Sequence, residues 1–190
     1  MLKDQIKQYM SGEAIFKEEK EYAEKHGLAD TPLIEKEASL RFEDAYIERC
    51  DKETENLIRT ESASFLTQPL VFLKKHKNEF IYLESKWFDV VRAESVSIEA
   101  DDVFGTYDVM LGIKLQKKYD KKLQQFLNNH LHSESSKFDL LFNGQEGLWD
   151  LNFALNSKEG FDENMSIGEG YQLVYQFLFK LMESMEEEDI

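Results

Sequence analysis

Cysteine is almost missing from this chain: Cys50 is the only one among 190 residues. It has no mate for an internal disulfide and no CxxC neighbour, so nothing points to an oxidising compartment or a redox pair. A structural thiol is the expectation. Proline is nearly as scarce, with two, and glycine reaches only nine, so long irregular loops should be few. Basic residues are outnumbered, 23 Lys and Arg against 38 Asp and Glu, for a formal charge of −15. A chain of that sign repels a phosphate backbone. Nucleic acid is therefore not an expected partner, while a basic protein is compatible with it. No apolar run approaches the ~18 residues of a membrane span, and Met1-Leu2-Lys3-Asp4-Gln5-Ile6-Lys7 lacks the apolar stretch of a signal peptide. The expectation is a cytoplasmic protein with no membrane association. Also missing are GxSxG, HExxH, an EF-hand loop, GxGxxG and GxxxxGK[ST], so no cofactor is expected.

What is present suits a globular domain. The apolar fraction is 42% and the charged fraction 32%, with 14 Phe, 8 Tyr and 2 Trp to build a core. Residues 1–30 read as a peripheral N-terminal helical segment: Leu2, Ile6 and Tyr9 form a thin stripe, Glu13–Lys17 and Glu21–Lys25 are i,i+4 pairs, and Gly27 suits a helix end. Residues 31–190 read as a single α+β domain. Within it, 33–50 is ambiguous, and Asp51 looks like the N-cap of a helix carrying Leu57, Ile58, Phe65 and Leu66. Segments rich in aromatic and β-branched residues follow between 80 and 98. They read as strands, with a helix over 84–93 as the alternative.

Tyr107, Val109, Leu111, Ile113 and Leu115 alternate without a miss, and Gly112 among them signals a bulge or a close approach. Residues 116–131 form an amphipathic helix with Tyr119, Leu123, Phe126 and Leu127 on one face. The clearest hairpin then pairs Phe138, Leu140 and Phe142 with Trp149, Leu151, Phe153 and Leu155 across Asn143–Gly147. Ser166-Ile167-Gly168-Glu169 has the form of a capping box. The helix it opens carries Ile167, Tyr171, Val174, Leu178, Leu181 and Met185. Glu186–Asp189 lie unfavourably at that helix's C-terminus, so the last turn should fray. The order α-β-β-β-α-β-β-α, plus the N-terminal helices, predicts an antiparallel sheet of about five strands with helices packed on it.

Few constellations invite chemistry. His130 and His132 fall at a helix end, where i,i+2 side chains diverge, so metal ligation is not expected. Asp101–Asp102 and Asp162–Glu163 are adjacent carboxylates of the kind that solvate or cap turns. An enzyme reading would instead bring Asp101, Asp102 or Asp150 together in a cleft. Gly168-Glu169-Gly170 lacks phosphate-loop spacing, and Glu169 would repel phosphate. Lys114, Lys117, Lys118, Lys121 and Lys122 make one concentrated basic face, suited to an acidic partner or to the acidic surface of a second copy. Tyr175 widens the main stripe of the last helix, and Phe177 and Phe179 lie off it. They suggest burial on two sides and complete a possible partner surface.

Over Arg41-Phe42-Glu43-Asp44-Ala45-Tyr46, and from Gly147-Leu148-Trp149-Asp150-Leu151-Asn152 to Glu169, the chain resembles small uncharacterised acidic cytosolic proteins of low-GC Gram-positive bacteria. That resemblance implies no activity. Proteins of this size can carry aminotransferase labels, which require a Schiff-base lysine and a phosphate cup, and no motif here identifies either. The element order is also similar to that of small acidic secretion chaperones. The expected function is a non-enzymatic protein-binding or chaperone-like module, its partner another protein or itself as a homodimer. A small carboxylate-based enzyme is the alternative.

Overall fold

The computed structural model describes residues 2–9, 14–131 and 138–186. Two helices, α1 (Leu2–Tyr9) and α2 (Lys17–Lys25), come first. A two-residue parallel pairing joins β1 (Ala14–Ile15) to β2 (Ile34–Glu35). The main sheet contains β3 (Tyr46–Asp51), β4 (Leu57–Glu61), β5 (Glu79–Glu84), β6 (Ala93–Ala100), β7 (Tyr107–Ile113), β8 (Asp139–Asn143) and β9 (Leu148–Ala154). Its spatial order is β4-β3-β5-β6-β7-β9-β8, and every neighbouring pair is antiparallel. Four helices complete the chain: α3 (Phe72–Lys75), α4 (Lys86–Val90), α5 (Asp120–His130) and α6 (Ile167–Glu186). The α+β class stands, with seven strands where about five were expected.

The two additional strands come from residues 46–61: β3 falls almost wholly in the stretch that sequence left ambiguous, and β4 lies where a helix from Asp51 was expected. Asp51 does cap backbone N–H groups, but those of a turn. Its Oδ1 accepts from Glu53 N at 3.2 Å and Thr54 N at 2.9 Å, closing the β3–β4 hairpin. An Asx turn and a helix N-cap ask for the same residue, so the sequence signal is shared between them. β4 adds nothing to separate the two, because four of its five residues are exposed and no apolar alternation survives on this edge strand. Between residues 80 and 98 both readings hold in part, since the short helix α4 sits between β5 and β6 and is capped by Ser85.

The C-terminal third follows its sequence signals. The β8–β9 connection is closed by Asn143 Oδ1, which accepts from Gln145 N and Glu146 N, and Gly147 takes φ 72° where a side chain would be strained. The capping box forms reciprocally: Ser166 N donates to Glu169 Oε2 at 2.7 Å, and Glu169 N donates to Ser166 Oγ at 3.2 Å. Gly168 leaves room for the 3₁₀ turn Ala63–Thr67 to lie against α6, since a Cβ there would come 3.2 Å from Leu66 O. Gly112 pairs regularly with Asp150 of β9, and its close neighbour is the Leu148 side chain. On its other side the β6–β7 register shifts between Ala93 and Val96, so an irregularity lies opposite it. The expected fraying beyond Glu186 falls outside the described residues.

All helices of appreciable burial lie on one face of the sheet. Ile47, Ile81, Leu83, Val96, Ile98, Val109, Leu111, Leu151 and Phe153 point into that layer and are buried. α6 is its central member, with eleven of twenty residues buried, and Tyr171 Oη donates to Ile81 O at 2.7 Å to fix it on the strands. The N-terminal helices join the same core through Leu2, Ile6, Phe16, Tyr22 and Ala23 rather than standing at the periphery. Glu186 ties them to the end of α6 by accepting from Leu2 N and Tyr22 Oη, each at 2.5 Å.

A buried ion pair locks this layer. Arg41 and Glu19 are both 0% exposed. Arg41 donates to Glu19 at 2.7 and 3.0 Å, to Glu18 at 2.6 Å and to Gln172 at 3.1 Å, while Tyr175 Oη donates to Glu19. The guanidinium carbon lies 3.9 Å from the Tyr175 ring centre and 4.3 Å from that of Phe16. Such a pair is tolerated inside a protein because each charged atom has a partner.

Candidate interaction surface

Side chains alternate along a strand, so the residues between the buried ones share the opposite face. Cross-strand pairing arranges them in rows. The middle row reads Glu48–Tyr82–Ser97–Met110–Asn152–Asp139. Toward one end the row is Cys50–Phe80–Glu99–Asp108–Ala154. Toward the other, Tyr46–Glu84–Ser95 lies beside Gly112–Asp150–Leu141. Phe80, Tyr82, Met110, Leu141 and Leu148 take no part in the core cluster that the helices cover. These rows hold six carboxylates, on Glu48, Glu84, Glu99, Asp108, Asp139 and Asp150, and no lysine or arginine.

The carboxylates are set among aromatic rings. Tyr46 Oη donates to Glu48 and Tyr82 Oη to Glu84, each across one i,i+2 step on the same face. Desolvation, and then the Glu84 hydrogen bond, raise the Tyr82 hydroxyl above its ordinary range. Glu99 and Asp108 are directly opposed across β6 and β7. Burial raises both, opposed at Glu99 by Lys52, whose Nζ lies 3.5 Å away, and at Asp108 by the Thr106 hydroxyl. Cys50 is buried at the same end, and burial with Glu48 pushes its thiol up, which fits an unreactive thiol. Beyond this end the β6–β7 connection projects Val103 and Phe104, 80% and 82% exposed, held by Asp101 Oδ1 accepting from their N–H groups.

Compared with family models, with curated proteins and with solved structures, the chain matches none. The site is therefore read from its own geometry.

The residues singled out from sequence are distributed differently. Tyr175, Phe177 and Phe179 are 0%, 1% and 4% exposed, so they do not form a surface. The second side of α6 is covered by this chain itself: Tyr22 meets Phe179 edge-on at 6.0 Å and Phe126 packs on Phe177 at 5.6 Å. Burial on two sides was legible; the cover is α2 and α5 rather than a second copy. Lys114, Lys117, Lys118 and Lys121 are exposed around the start of α5. Lys114 pairs with Glu94, Lys117 lies 5.6 Å over the Phe142 ring, and Lys118 4.9 Å over that of Tyr119. Lys122 is half-buried with a partner of its own.

Asp101 and Asp102 belong to the β6–β7 turn, whereas Asp150 pairs with Gly112. Four residue steps along β7 separate Asp108 from Gly112, about 13 Å of strand, so the three carboxylates do not converge. Asp162 accepts from Asn164 N at 2.8 Å, and Glu163 pairs with Lys74. His130 Nδ1 lies 2.8 Å from Phe126 O; His132 lies outside the described residues. Among the described residues no helix is long and apolar enough to cross a membrane.

The acidic sheet face was not identified from sequence as a site. Its signal was present in the polar half of each alternation, in Asp108, Asp139, Asp150 and Asn152.

Proposed function

We propose that this protein is a protein-binding module whose open sheet face takes a basic partner. What carries the reading is that face: six carboxylates interleaved with Tyr46, Phe80, Tyr82 and Met110, with no cation in the same rows. Aromatic and methionine side chains supply adaptable contact area, and carboxylates select lysine and arginine on the other side. The strongly negative chain steers such a partner toward it.

The test is affinity purification with partner identification, run in parallel on the wild type and on a variant neutralised at Glu48→Gln, Glu84→Gln, Asp139→Asn and Asp150→Asn. The expected result is a lysine- or arginine-rich protein retained by the wild type at low salt and lost from the variant. Equal capture by both would overturn the reading. So would self-association of the wild type abolished by the same substitutions, which would make a second copy the occupant.

A second reading rests on Glu99 and Asp108, two opposed carboxylates that burial raises, as acid–base chemistry requires. It predicts an activity lost in Glu99→Gln while partner capture persists.

A further inference from the structure

We propose that the half-open pocket lined by the end of α5, the turn after β9 and the middle of α6 binds a small oxyanion between the half-buried Lys158 and the exposed Lys180. This site is on the helical side of the molecule and is independent of the sheet face. The cavity measures ≈ 450 Å³, within the range of small-molecule sites. Asn129, Ser157 and Gln176 line it with hydrogen-bonding groups, and Phe177 and Leu173 give it an apolar wall.

The argument starts from charge. In a chain of −15 carboxylates are plentiful, and Lys25, Lys74, Lys86 and Lys114 each pair with one. Lys158 and Lys180 find none among the described residues. Lys158 is half-buried, its Nζ held 4.4 Å above the Phe177 ring, a weak substitute for a counter-ion. Burial, and after it the positive charge of Lys180, pull the Lys158 ammonium below the usual lysine range, and Glu159 only partly opposes them. Two cations line this pocket with Glu159 as the one carboxylate in the lining, which offsets their repulsion only in part. An oxyanion seated between them removes the repulsion and makes charge-assisted hydrogen bonds to both. The group recognised is a phosphate or carboxylate on a small molecule. Glu159, in the same lining, disfavours a polyanion.

The experiment is an NMR titration of the full, isotope-labelled chain at constant ionic strength, with inorganic phosphate in one arm, acetate in a second and chloride as the control. Saturable shifts confined to residues 129–130, 157–160 and 173–180 are expected. Saturation by phosphate alone identifies a phosphate ligand, and saturation by acetate a carboxylate. Lys158→Gln and Lys180→Gln should each weaken binding about tenfold or more, the value of a charge-assisted hydrogen bond, with Lys158→Arg retaining it. Both positions are on the cavity wall, so an unchanged thermal melt separates lost binding from lost fold. As an independent readout, the Lys158 amine, followed after reductive ¹³C-methylation, should titrate below the other lysines and move up when the anion is bound. Shifts no different from chloride in both arms, or binding undiminished in Lys158→Gln, would overturn the proposal.

Discussion

The two faces of the main sheet are built from the same seven strands yet obey different rules. On the helical face the alternate residues of β5, β6, β7 and β9 are mostly apolar and buried, with the Arg49–Glu79 and Arg49–Glu61 ion pairs toward the β3–β4 edge. The apolar contribution is measured in area removed from water. On the open face the intervening residues are carboxylates, tyrosines and serines that the fold does not need for its core. The contrast teaches where selection for stability ends: a strand needs only one of its two faces to hold the sheet in register, which frees the other for recognition.

That contrast can be broken in steps. The largest effect is expected at the buried ion pair. Arg41→Met leaves Glu19 without its counter-charge inside the helical layer, and should cost about 3–5 kcal/mol in urea unfolding. Adjacent positions on β9 give the next test. Leu151→Ala should cost about 2–5 kcal/mol through the cavity it leaves, whereas Asn152→Ala, one residue on and facing the other way, should stay within about 0.5 kcal/mol. Similar losses at both positions would show that the open face is load-sharing, and the comparison would fail.

The smallest effect has the opposite sign. Glu99 and Asp108 repel across the strand pair, so Asp108→Asn should stabilise the protein by about 0.2–1 kcal/mol at neutral pH. Burial raises the Asp108 carboxyl in the folded state, so the folded chain holds its proton more tightly than the unfolded chain does. Stability from this group therefore falls as pH rises from the ordinary carboxylate range through the raised folded value. The advantage of Asn over Asp should vanish at pH values below the ordinary carboxylate range, which a pH series of melts will check.

Legibility from sequence tracks burial. β7, β9 and α6 announced themselves because one face of each is covered, so alternation or a helical stripe is enforced residue by residue. β8 was legible from its turn and from the partly buried Leu140 and Phe142. β4 did not, because Leu57, Ile58 and Arg59 are exposed on an edge strand, and nothing enforces a pattern there. Phe177 and Phe179 were seen to be more apolar surface than one sheet face requires. The identity of what covers them was hidden, because it depends on contacts with Tyr22 and Phe126, far away in the chain. The acidic sheet face escaped for a related reason: its six carboxylates come from β3, β5, β6, β7, β8 and β9, and only the strand order gathers them.

The ion pair of Arg41 and Glu19 also sets a timetable. Glu19 and its Tyr175 donor are 156 positions apart, and at ordinary rates of protein synthesis that stretch takes roughly 8–30 s to make. During that interval the carboxylate and guanidinium have each other but not the tyrosine, the glutamine or the long helix that seals them from water. The apolar half of the sheet waits equally uncovered. A ribosome carrying this chain thus exposes a nearly complete set of strands until α6 emerges, and synthesis stalled before Ser166 leaves a product whose hydrophobic side has no lid.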